Sequence, residues 1–565
     1  MKRLSIITLL LLSGCAATDS NHGAAPGTAP RAETGPATID VSVLALNDFH
    51  GNLMPPSGGI FIPDPSDPAK RISVPAGGSE YLAAHIQRLR AKNPNSIVVA
   101  AGDLIGGSPL LSALFHDEPA VESLSLMGLE VSAVGNHEFD EGPGELRRIQ
   151  NGGCHPKDGC KGPQPFTGAK FKYLSAGAID TATGATIFPP YYIKTFSGVP
   201  VAFIGLTTRT TPSVVIPSSV LGLEFRDEVE TVNALVPELR ARGTETIVVL
   251  LHEGGTPTTA DYNGCAGITG RIVDIVPKLD KAVDAVVSGH SHQAYNCVID
   301  GRLVTSAHRY GTLVTEISLT IDTKTRDVIS AKAENVISRH EGTTRDAAQS
   351  ALLDGYVKAA EPVAGRVIGR ITESLSNVTD AAGASPLGGV IADAMLVATA
   401  APDKGGAQIA VMNRGGIRAP LTMRADGAVT YGDLFSVQPF GNYLVTLTLT
   451  GAQLKTLLEL QWADPATTPM LQISEGFSYT WDAARPAGSK VIPDSMTLRG
   501  KPIDPSASYR VTTNNFLADG GDGFVILRDG TNRLAGAEDL HATEVYLRDR
   551  SPVAPVPPNR VRRLN

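Results

Sequence analysis

Histidine, aspartate and asparagine residues recur at five places between residues 39 and 295, each directly after a short apolar run. In chain order the five segments are Asn47-Asp48-Phe49-His50-Gly51, Gly102-Asp103, Gly135-Asn136-His137-Glu138-Phe139-Asp140, His252-Glu253-Gly254-Gly255 and Ser288-Gly289-His290-Ser291-His292. Carboxylate, amide and imidazole groups are ligands that divalent transition metals accept. One such segment alone could be an ordinary polar loop, but five in order indicate a metal centre.

Buried strands are the elements that must position these segments. The apolar runs cover residues 41–46, 97–101, 131–134, 247–251 and 283–287, and helix-like stretches lie between several of them. Strands that alternate with helices predict α/β architecture, in which ligands bind beyond the carboxyl ends of the strands. We therefore expect the five segments to converge on one edge.

Length and charge narrow the class of protein. A chain of 565 residues is long enough for two or more domains. After residue 15, no apolar run approaches the roughly 20 residues that a membrane-spanning helix needs. The net charge of -8 argues against a nucleic-acid polymer as partner. A small anionic substrate is compatible with this charge if bound metals supply local positive charge.

The first residues predict export and lipid attachment. Lys2 and Arg3 precede an apolar stretch, and Leu12-Ser13-Gly14-Cys15 resembles a bacterial lipobox. We expect a signal peptide over residues 1–14, a lipid on Cys15, and a disordered tether over residues 15–38. The predicted location is the periplasmic face of a membrane, preferably the outer one, or the cell surface. An uncleaved signal with an incidental cysteine is the alternative.

Four further cysteines fit an oxidising compartment, because their even number suggests disulfides. We favour Cys154 with Cys160 and Cys265 with Cys297, since neither pair has the spacing of a zinc or redox motif. The other pairings, and free buried thiols, remain open.

The five segments together resemble the calcineurin-like metallophosphoesterases, and among them the 5′-nucleotidase family. That family includes the bacterial periplasmic UDP-sugar hydrolases and the animal ecto-5′-nucleotidases. The resemblance extends from about residue 40 to the C-terminus. It implies a four-layer α/β/β/α metallophosphoesterase domain over residues 39–340, a linker helix over 341–366, and a smaller α+β nucleotide-recognition domain over 367–565. We expect a monomer.

The resemblance also implies two divalent metal ions, which could be manganese, zinc, cobalt or iron. One ion would be held by Asp48, His50, Asp103 and His292, and the other by Asp103, Asn136, His252 and His290, so that Asp103 is the bridge. His292 departs from relatives that have Gln or Asn there. By the same resemblance, His137 faces the phosphate and Asp140 orients its imidazole; a helix-capping role for Asp140 is the alternative.

Three later segments resemble the nucleotide-recognition domain of the family: Asn413-Arg414-Gly415-Gly416-Ile417-Arg418, Gln438-Pro439-Phe440-Gly441-Asn442 and Asn515-Phe516-Leu517-Ala518-Asp519-Gly520-Gly521-Asp522-Gly523-Phe524. The resemblance implies that Phe440 and Phe516 sandwich a base and that Asp522 accepts from sugar hydroxyls. It places Asn413 beside the base, and Arg414 and Arg418 near phosphate or other polar groups. Animal members have a further arginine upstream, which residues 382–387 lack.

The function implied is release of phosphate and nucleoside from nucleoside 5′-monophosphates outside the cytoplasm for nucleotide scavenging, with UDP-sugars as further substrates. A 2′,3′-cyclic-nucleotide 2′-phosphodiesterase with 3′-nucleotidase activity is the alternative. A non-enzymatic nucleoside-binding lipoprotein is a more distant one.

Overall fold

The structure is a computed structural model that describes residues 36–565 except 57, 464–467 and 558. The predicted signal peptide, Cys15 and nearly all of the predicted tether lie outside these residues. In the described part of the chain, every helix is too short or too polar to span a bilayer. Residues Thr38–Asn565 form one structural unit.

The first sheet of this unit holds three of the five ligand segments. Its strands, in spatial order, are Val328–Ile337, Leu313–Asp322, Thr38–Leu46, Ser96–Ala100, Leu129–Ala133 and Lys172–Leu174. The last four are mutually parallel. Leu313–Asp322 pairs antiparallel with both of its neighbours, Val328–Ile337 and Thr38–Leu46. Central strands such as Ser96–Ala100 are apolar and buried along their whole length, as parallel strands covered on both faces must be.

The second sheet holds the other two ligand segments. Its strands, in spatial order, are Ala294–Ile299, Arg302–Ala307, Val283–Ser288, Thr246–His252, Val199–Thr207 and Tyr191–Phe196. The four central strands are parallel and both edge strands are antiparallel. Carboxyl ends of parallel strands therefore meet at one edge in each sheet.

Three apolar cores divide this domain into layers. Val41 and Val99 of the first sheet pack against Phe203 and Val248 of the second. On the outer face of the first sheet lie Ser79–Arg90, Glu118–Leu126 and Gly142–Asn151; on that of the second lie Glu228–Ala241 and Ile272–Ile275. Asp227 caps Glu228–Ala241 by accepting from two of its first N–H groups. The four-layer α/β/β/α prediction is confirmed.

A hairpin of Ile60–Asp64 and Asp67–Val74 precedes the first helix of this domain. Near the end of the domain, the helix Ala347–Ala364 begins after the capping residue Asp346. It packs against Glu118–Leu126 of the first domain and against Tyr431–Val437 of the second, so the stretch we predicted as a linker helix is a helix that contacts both domains.

The second part of the chain is a mixed α+β unit. Its larger sheet contains Leu471–Ile473, Ile409–Asn413, Ser508–Asn514, Tyr443–Thr450 and Thr531–Glu538, and its smaller one contains Lys501–Pro502, Thr497–Leu498, Phe477–Asp482 and Val561–Leu564. The helices with at least seven residues are Pro386–Thr399, Tyr431–Val437, Gly451–Glu459 and Asp539–Asp549. This confirms the predicted α+β class.

Two disulfides join the cysteine pairs that we favoured. Cys154 and Cys160 have Cα atoms 4.6 Å apart, and those of Cys265 and Cys297 are 5.1 Å apart. The second bridge ties a loop after Thr246–His252 to an edge strand of the second sheet.

Candidate active site

All seven predicted metal ligands meet at the carboxyl ends of the two sheets. Five of them occupy the left-handed region of backbone conformation, which is uncommon for residues other than glycine. These five are Asp48 (φ 50°), His50 (φ 46°), Asp103 (φ 50°), His290 (φ 67°) and His292 (φ 55°). Such backbone strain concentrates at functional sites, where the surrounding structure holds it in place.

The first donor cluster consists of Asp48, His50 and His292. Nε2 of His292 lies 3.4 Å from Oδ1 of Asp48, and Nε2 of His50 lies 3.9 Å from the same oxygen. The two Nε2 atoms are 3.0 Å apart. Nδ1 of His50 donates to the carbonyl of Gly106 at 2.8 Å, so its Nε2 carries a lone pair toward the cluster. Burial lowers the pKa of His50 well below its ordinary value, which keeps the imidazole neutral.

The second donor cluster consists of Asp103, His252 and His290, with Asn136 beside them. Nε2 of His252 lies 3.1 Å from Oδ2 of Asp103 and 3.0 Å from Oδ1 of Asn136. Nδ1 of His252 contacts the carbonyl of Ala101 at 2.8 Å, which directs its other nitrogen into the cluster.

Asp103 joins the two clusters. Its Oδ2 lies 3.6 Å from Nε2 of His50 and 3.1 Å from Nε2 of His252. Burial opposes ionisation of Asp103, but the surrounding imidazoles, His252 first, outweigh it and hold the pKa of the carboxyl well below its ordinary value. Imidazole, amide and carboxylate donors that converge within bonding reach fit a pair of divalent cations.

His137 and Asp140 lie beside the donor clusters. Nδ1 of His137 and Oδ2 of Asp140 are 2.8 Å apart, so the imidazole presents Nε2 to the cavity. Burial alone would lower the pKa of His137, but the carboxylates of Asp140 and Asp103 raise it above its ordinary value. The short helix His137–Phe139 brings the pair together. The carboxylate of Asp140 therefore lies where it can orient the imidazole of His137.

Glu138 belongs to the same ligand segment as Asn136 and His137, but no role was predicted for it from the sequence. Its carboxylate accepts from three backbone N–H groups, those of Asp103 (2.9 Å), Leu104 (2.8 Å) and Gly135 (2.6 Å). Burial, and then the charge of Asp103, raise the pKa of Glu138, while the three N–H groups favour the ionised form. Glu138 thereby fastens together the two loops that carry Asp103 and Asn136.

Asn47 fastens a third loop in a similar way. Its amide nitrogen donates to Oδ2 of Asp48 at 2.7 Å and to the carbonyl of His308 at 2.7 Å, and its amide oxygen accepts from the N–H of Ala307 at 2.7 Å. Asn47 could have been found from the sequence, because it is a polar residue directly after a buried strand.

The substrate residues predicted in the second domain line the same cavity as four of the seven predicted metal ligands. This cavity has a volume of about 480 Å³, and its lining includes Asp103, Asn136, His137, Asp140, His290, His292, Asn413, Arg414, Arg418, Phe440, Phe516 and Asp522. Asn413 donates to Oδ2 of Asp522 at 2.8 Å. The ring of Phe440 stacks on His137, with centroids 5.6 Å apart and planes 18° apart. Phe516 packs on Gly521, where a Cβ would come within 2.5 Å of its ring.

Arg309 lines this cavity as well, although the sequence singled out no such residue. Its Nη1 lies 3.3 Å from Nδ1 of His292. Burial lowers the pKa of His292 to about 4, so the imidazole beside Arg309 is neutral.

Comparisons with known proteins agree with this geometry. Residues 41–294 match the family model for calcineurin-like phosphoesterases, and residues 367–529 match the model for the C-terminal domain of 5′-nucleotidases. The chain is 36% identical over 520 residues to Endonuclease YhcR of Bacillus subtilis, which covers 90% of this chain and 40% of that protein. The chain thus spans less than half the length of that relative.

Two further relatives match over most of the chain. Cell wall protein Lmo0130 of Listeria monocytogenes is 32% identical over 556 residues, covering 93% of this chain and 69% of that protein. The solved structure of a 5′-nucleotidase precursor from Thermus thermophilus superimposes with a TM-score of 0.76 at 28% identity, covering 93% of this chain and 100% of that one.

Proposed function

Because the chain belongs to the 5′-nucleotidase family of calcineurin-like metallophosphoesterases, we propose that it releases phosphate and nucleoside from nucleoside 5′-monophosphates. One observation carries this proposal. A single cavity joins the donor clusters around Asp103 to the aromatic side chains of Phe440 and Phe516, so a phosphate at the donors has a base-binding surface within reach.

The donor set supports two cations as cofactors, one at Asp48, His50, Asp103 and His292, the other at Asp103, Asn136, His252 and His290. Manganese, zinc, cobalt and iron all accept such ligands. When bound, the two cations would polarise the phosphoryl group and activate a water for attack on phosphorus.

The side chains of the chain itself supply orientation and charge. His137, held by Asp140, presents Nε2 where it can donate to a phosphoryl oxygen, and the raised pKa of His137 favours the protonated donor. Arg418 has two buried guanidinium nitrogens, Nε and Nη2, without a hydrogen-bond partner among the described residues, so it can pair with the phosphate. Asp522 accepts from Asn413 and can accept from a sugar hydroxyl at its other oxygen.

Stacking explains how different bases could be accepted. A base held by aromatic rings gains about 1 to 3 kcal/mol whatever its identity, since every base has a π face. We therefore propose broad nucleotide preference, with UDP-sugars as further substrates and nucleotide scavenging as the role. Cleavage of 2′,3′-cyclic nucleotides and 3′-nucleotides is the competing function.

Chromatography of the products formed by the purified, manganese-loaded protein, together with phosphate release, ranks these functions. The substrates are 5′-AMP, 3′-AMP, 2′,3′-cyclic AMP and UDP-glucose, and Asp103→Ala is the inactive control. The proposal predicts release from 5′-AMP that disappears in Asp103→Ala. A preference for the cyclic or 3′ substrates would favour the competing function, and no metal-dependent release from any of the four would refute both.

We also propose that the protein is exported and attached to a membrane through a lipid on Cys15. The lipobox-like ending of the N-terminal apolar stretch supports this. Fractionation of cells that express the protein and its Cys15→Ser variant tests it: the protein should sediment with membranes and the variant should not. Equal distribution of the two would contradict the proposal.

A further inference from the structure

A second cavity, a groove of about 790 Å³, adjoins the candidate active site. Arg309 and Arg418 line both cavities, so the groove continues from the metal donors. We term it the arginine groove, after the six side chains that characterise it: Phe61, Arg71, Arg309, Tyr310, Arg418 and Arg424.

Positive charge dominates the arginine groove, although the whole chain carries a net charge of -8. Its lining has four arginines but a single carboxylate, Asp433, which accepts from Arg424 at 2.9 Å. The other three arginines form no ion pair with any residue that the structure describes. Unpaired guanidinium groups in a concave site are suited to phosphate, which they can contact through two parallel hydrogen bonds.

Arg309 is fixed between the two cavities by a strained loop. His308 and Tyr310 on either side of it have φ values of 61° and 60°. The N–H of Tyr310 donates to the carbonyl of Asp48 at 2.7 Å, and the carbonyl of His308 accepts from Asn47 at 2.7 Å. The Nε of Arg309 is buried without a hydrogen-bond partner in the described part of the chain. A buried donor held in place without an acceptor is ready for an anion that enters the groove.

Aromatic surface accompanies the charge. The ring of Tyr310 forms T-shaped contacts with the rings of His50 and His292 at centroid distances of 6.0 and 5.8 Å, so one end of the groove touches the donor clusters. Farther along, Phe61 is 53% exposed. Arginines interleaved with accessible aromatic rings are typical of surfaces that bind single-stranded nucleic acid, because bases stack on the rings while the cations contact phosphates.

The geometry points to a second nucleotide as the occupant of the arginine groove, linked to the first through the phosphodiester at the metal donors. This inference rests on the proposed function and extends its substrates to short oligonucleotides. Hydrolysis of such a diester adds the hydroxyl of water to phosphorus, breaks the bond to the departing nucleoside oxygen, and gives that oxygen the proton. The groove has room for a nucleotide rather than for a long polymer.

Hydrolysis of the dinucleotide pApA by the metal-loaded full-length protein tests this inference, with 5′-AMP as the reference substrate. In the double variant Arg71→Ala/Arg424→Ala, kcat/KM for pApA should fall roughly tenfold, as expected for the loss of two exposed ionic contacts, while kcat/KM for 5′-AMP should change less than about twofold. Arg485→Ala, an exposed arginine outside both cavities, is the matched control. Equal effects on both substrates, or no effect on pApA, would overturn the inference.

If the unmodified protein did not hydrolyse 5′-AMP, that result would count against the proposed function. Failure of the proposed function and failure of this inference are therefore distinguishable. Hydrolysis of UDP-glucose distinguishes a sugar from a nucleotide as the occupant of the groove. If the double variant hydrolysed UDP-glucose more slowly and pApA at the unchanged rate, the groove would hold a sugar diphosphate and the nucleotide assignment would be overturned.

Equilibrium binding gives a readout independent of catalysis. Fluorescence anisotropy of labelled hexathymidylate, with the protein in chelator, measures how the dissociation constant depends on salt. Each neutralised phosphate contributes about 0.7 to the slope of log affinity against log salt for single strands. A nucleotide in the groove carries one phosphate besides the diester at the metal donors, so the double variant should lower the slope by about 0.7. An unchanged slope, or no binding by the unmodified protein, would refute a nucleotide-binding groove.

Discussion

Replacement of Glu138 by glutamine tests whether the donor loops are preorganised by the contacts described. Oε2 of Glu138 accepts from the N–H groups of Asp103 and Gly135, and Oε1 accepts from that of Leu104. A glutamine has one amide oxygen, so its NH₂ group must face at least one backbone N–H. Loss of one buried acceptor costs about 1 to 3 kcal/mol, and substitution of groups that hold metal ligands lowers metal affinity by about 10- to 100-fold.

Calorimetric titration of the metal-free variant with Mn²⁺ measures this loss, and activity at saturating metal should recover because every ligand is retained. Glu122→Gln is the matched control, since Glu122 contacts the hydroxyl of Tyr356 away from the donors. If a folded Glu138→Gln protein binds Mn²⁺ as tightly as the unmodified one, the account of Glu138 is refuted.

Three further predictions concern substrate binding and stability. Phe440→Ala should raise KM for 5′-AMP by about 5- to 150-fold with a smaller effect on kcat, because stacking is worth about 1 to 3 kcal/mol; an unchanged KM would exclude Phe440 as a base platform. Reduction of the Cys265–Cys297 bridge, which spans 32 residues, should lower the free energy of unfolding by about 4 kcal/mol in the chain-entropy model; denaturant unfolding of the double serine variant measures this, and equal stability would contradict it. Burial raises the pKa of Asp539 from 3.8 to about 7, so the folded state disfavours its ionised form. Stability should therefore fall as pH rises from about 4 to about 7, by at most about 4 kcal/mol. Asp539→Asn should raise the melting temperature at pH 8 but not at pH 4, and the same gain at both would argue against this titration.

The ligand loops could be predicted from the sequence because their signals are local. Each ligand segment follows a run of buried residues, and the carboxyl ends of parallel strands must share an edge. That rule needs no knowledge of which strands are neighbours. It predicted that Asp48, His252 and His292 lie close together in space, although they are far apart along the chain.

The supporting contacts could not be predicted, because they depend on the order of strands within each sheet. Glu138 accepts from Leu104, 34 residues earlier, and Asn47 contacts Ala307, 260 residues later. Nothing local marks Arg309, whose role depends on the loop that follows an edge-adjacent strand of the second sheet. In the second domain, the hydrogen bond between Asn413 and Asp522 spans 109 residues and was not predicted, because the family resemblance implied only a separate contact of each residue with the nucleotide.

The central claim is that Asp103 joins two metal sites that act together on a phosphate ester. Titration of metal-free protein with Mn²⁺, followed by phosphate release from 5′-AMP, tests it most directly. Activity should rise to a plateau at about two ions per chain, and Asp103→Asn should reach neither that stoichiometry nor that activity. A plateau at one ion, or full activity in Asp103→Asn, would contradict the claim.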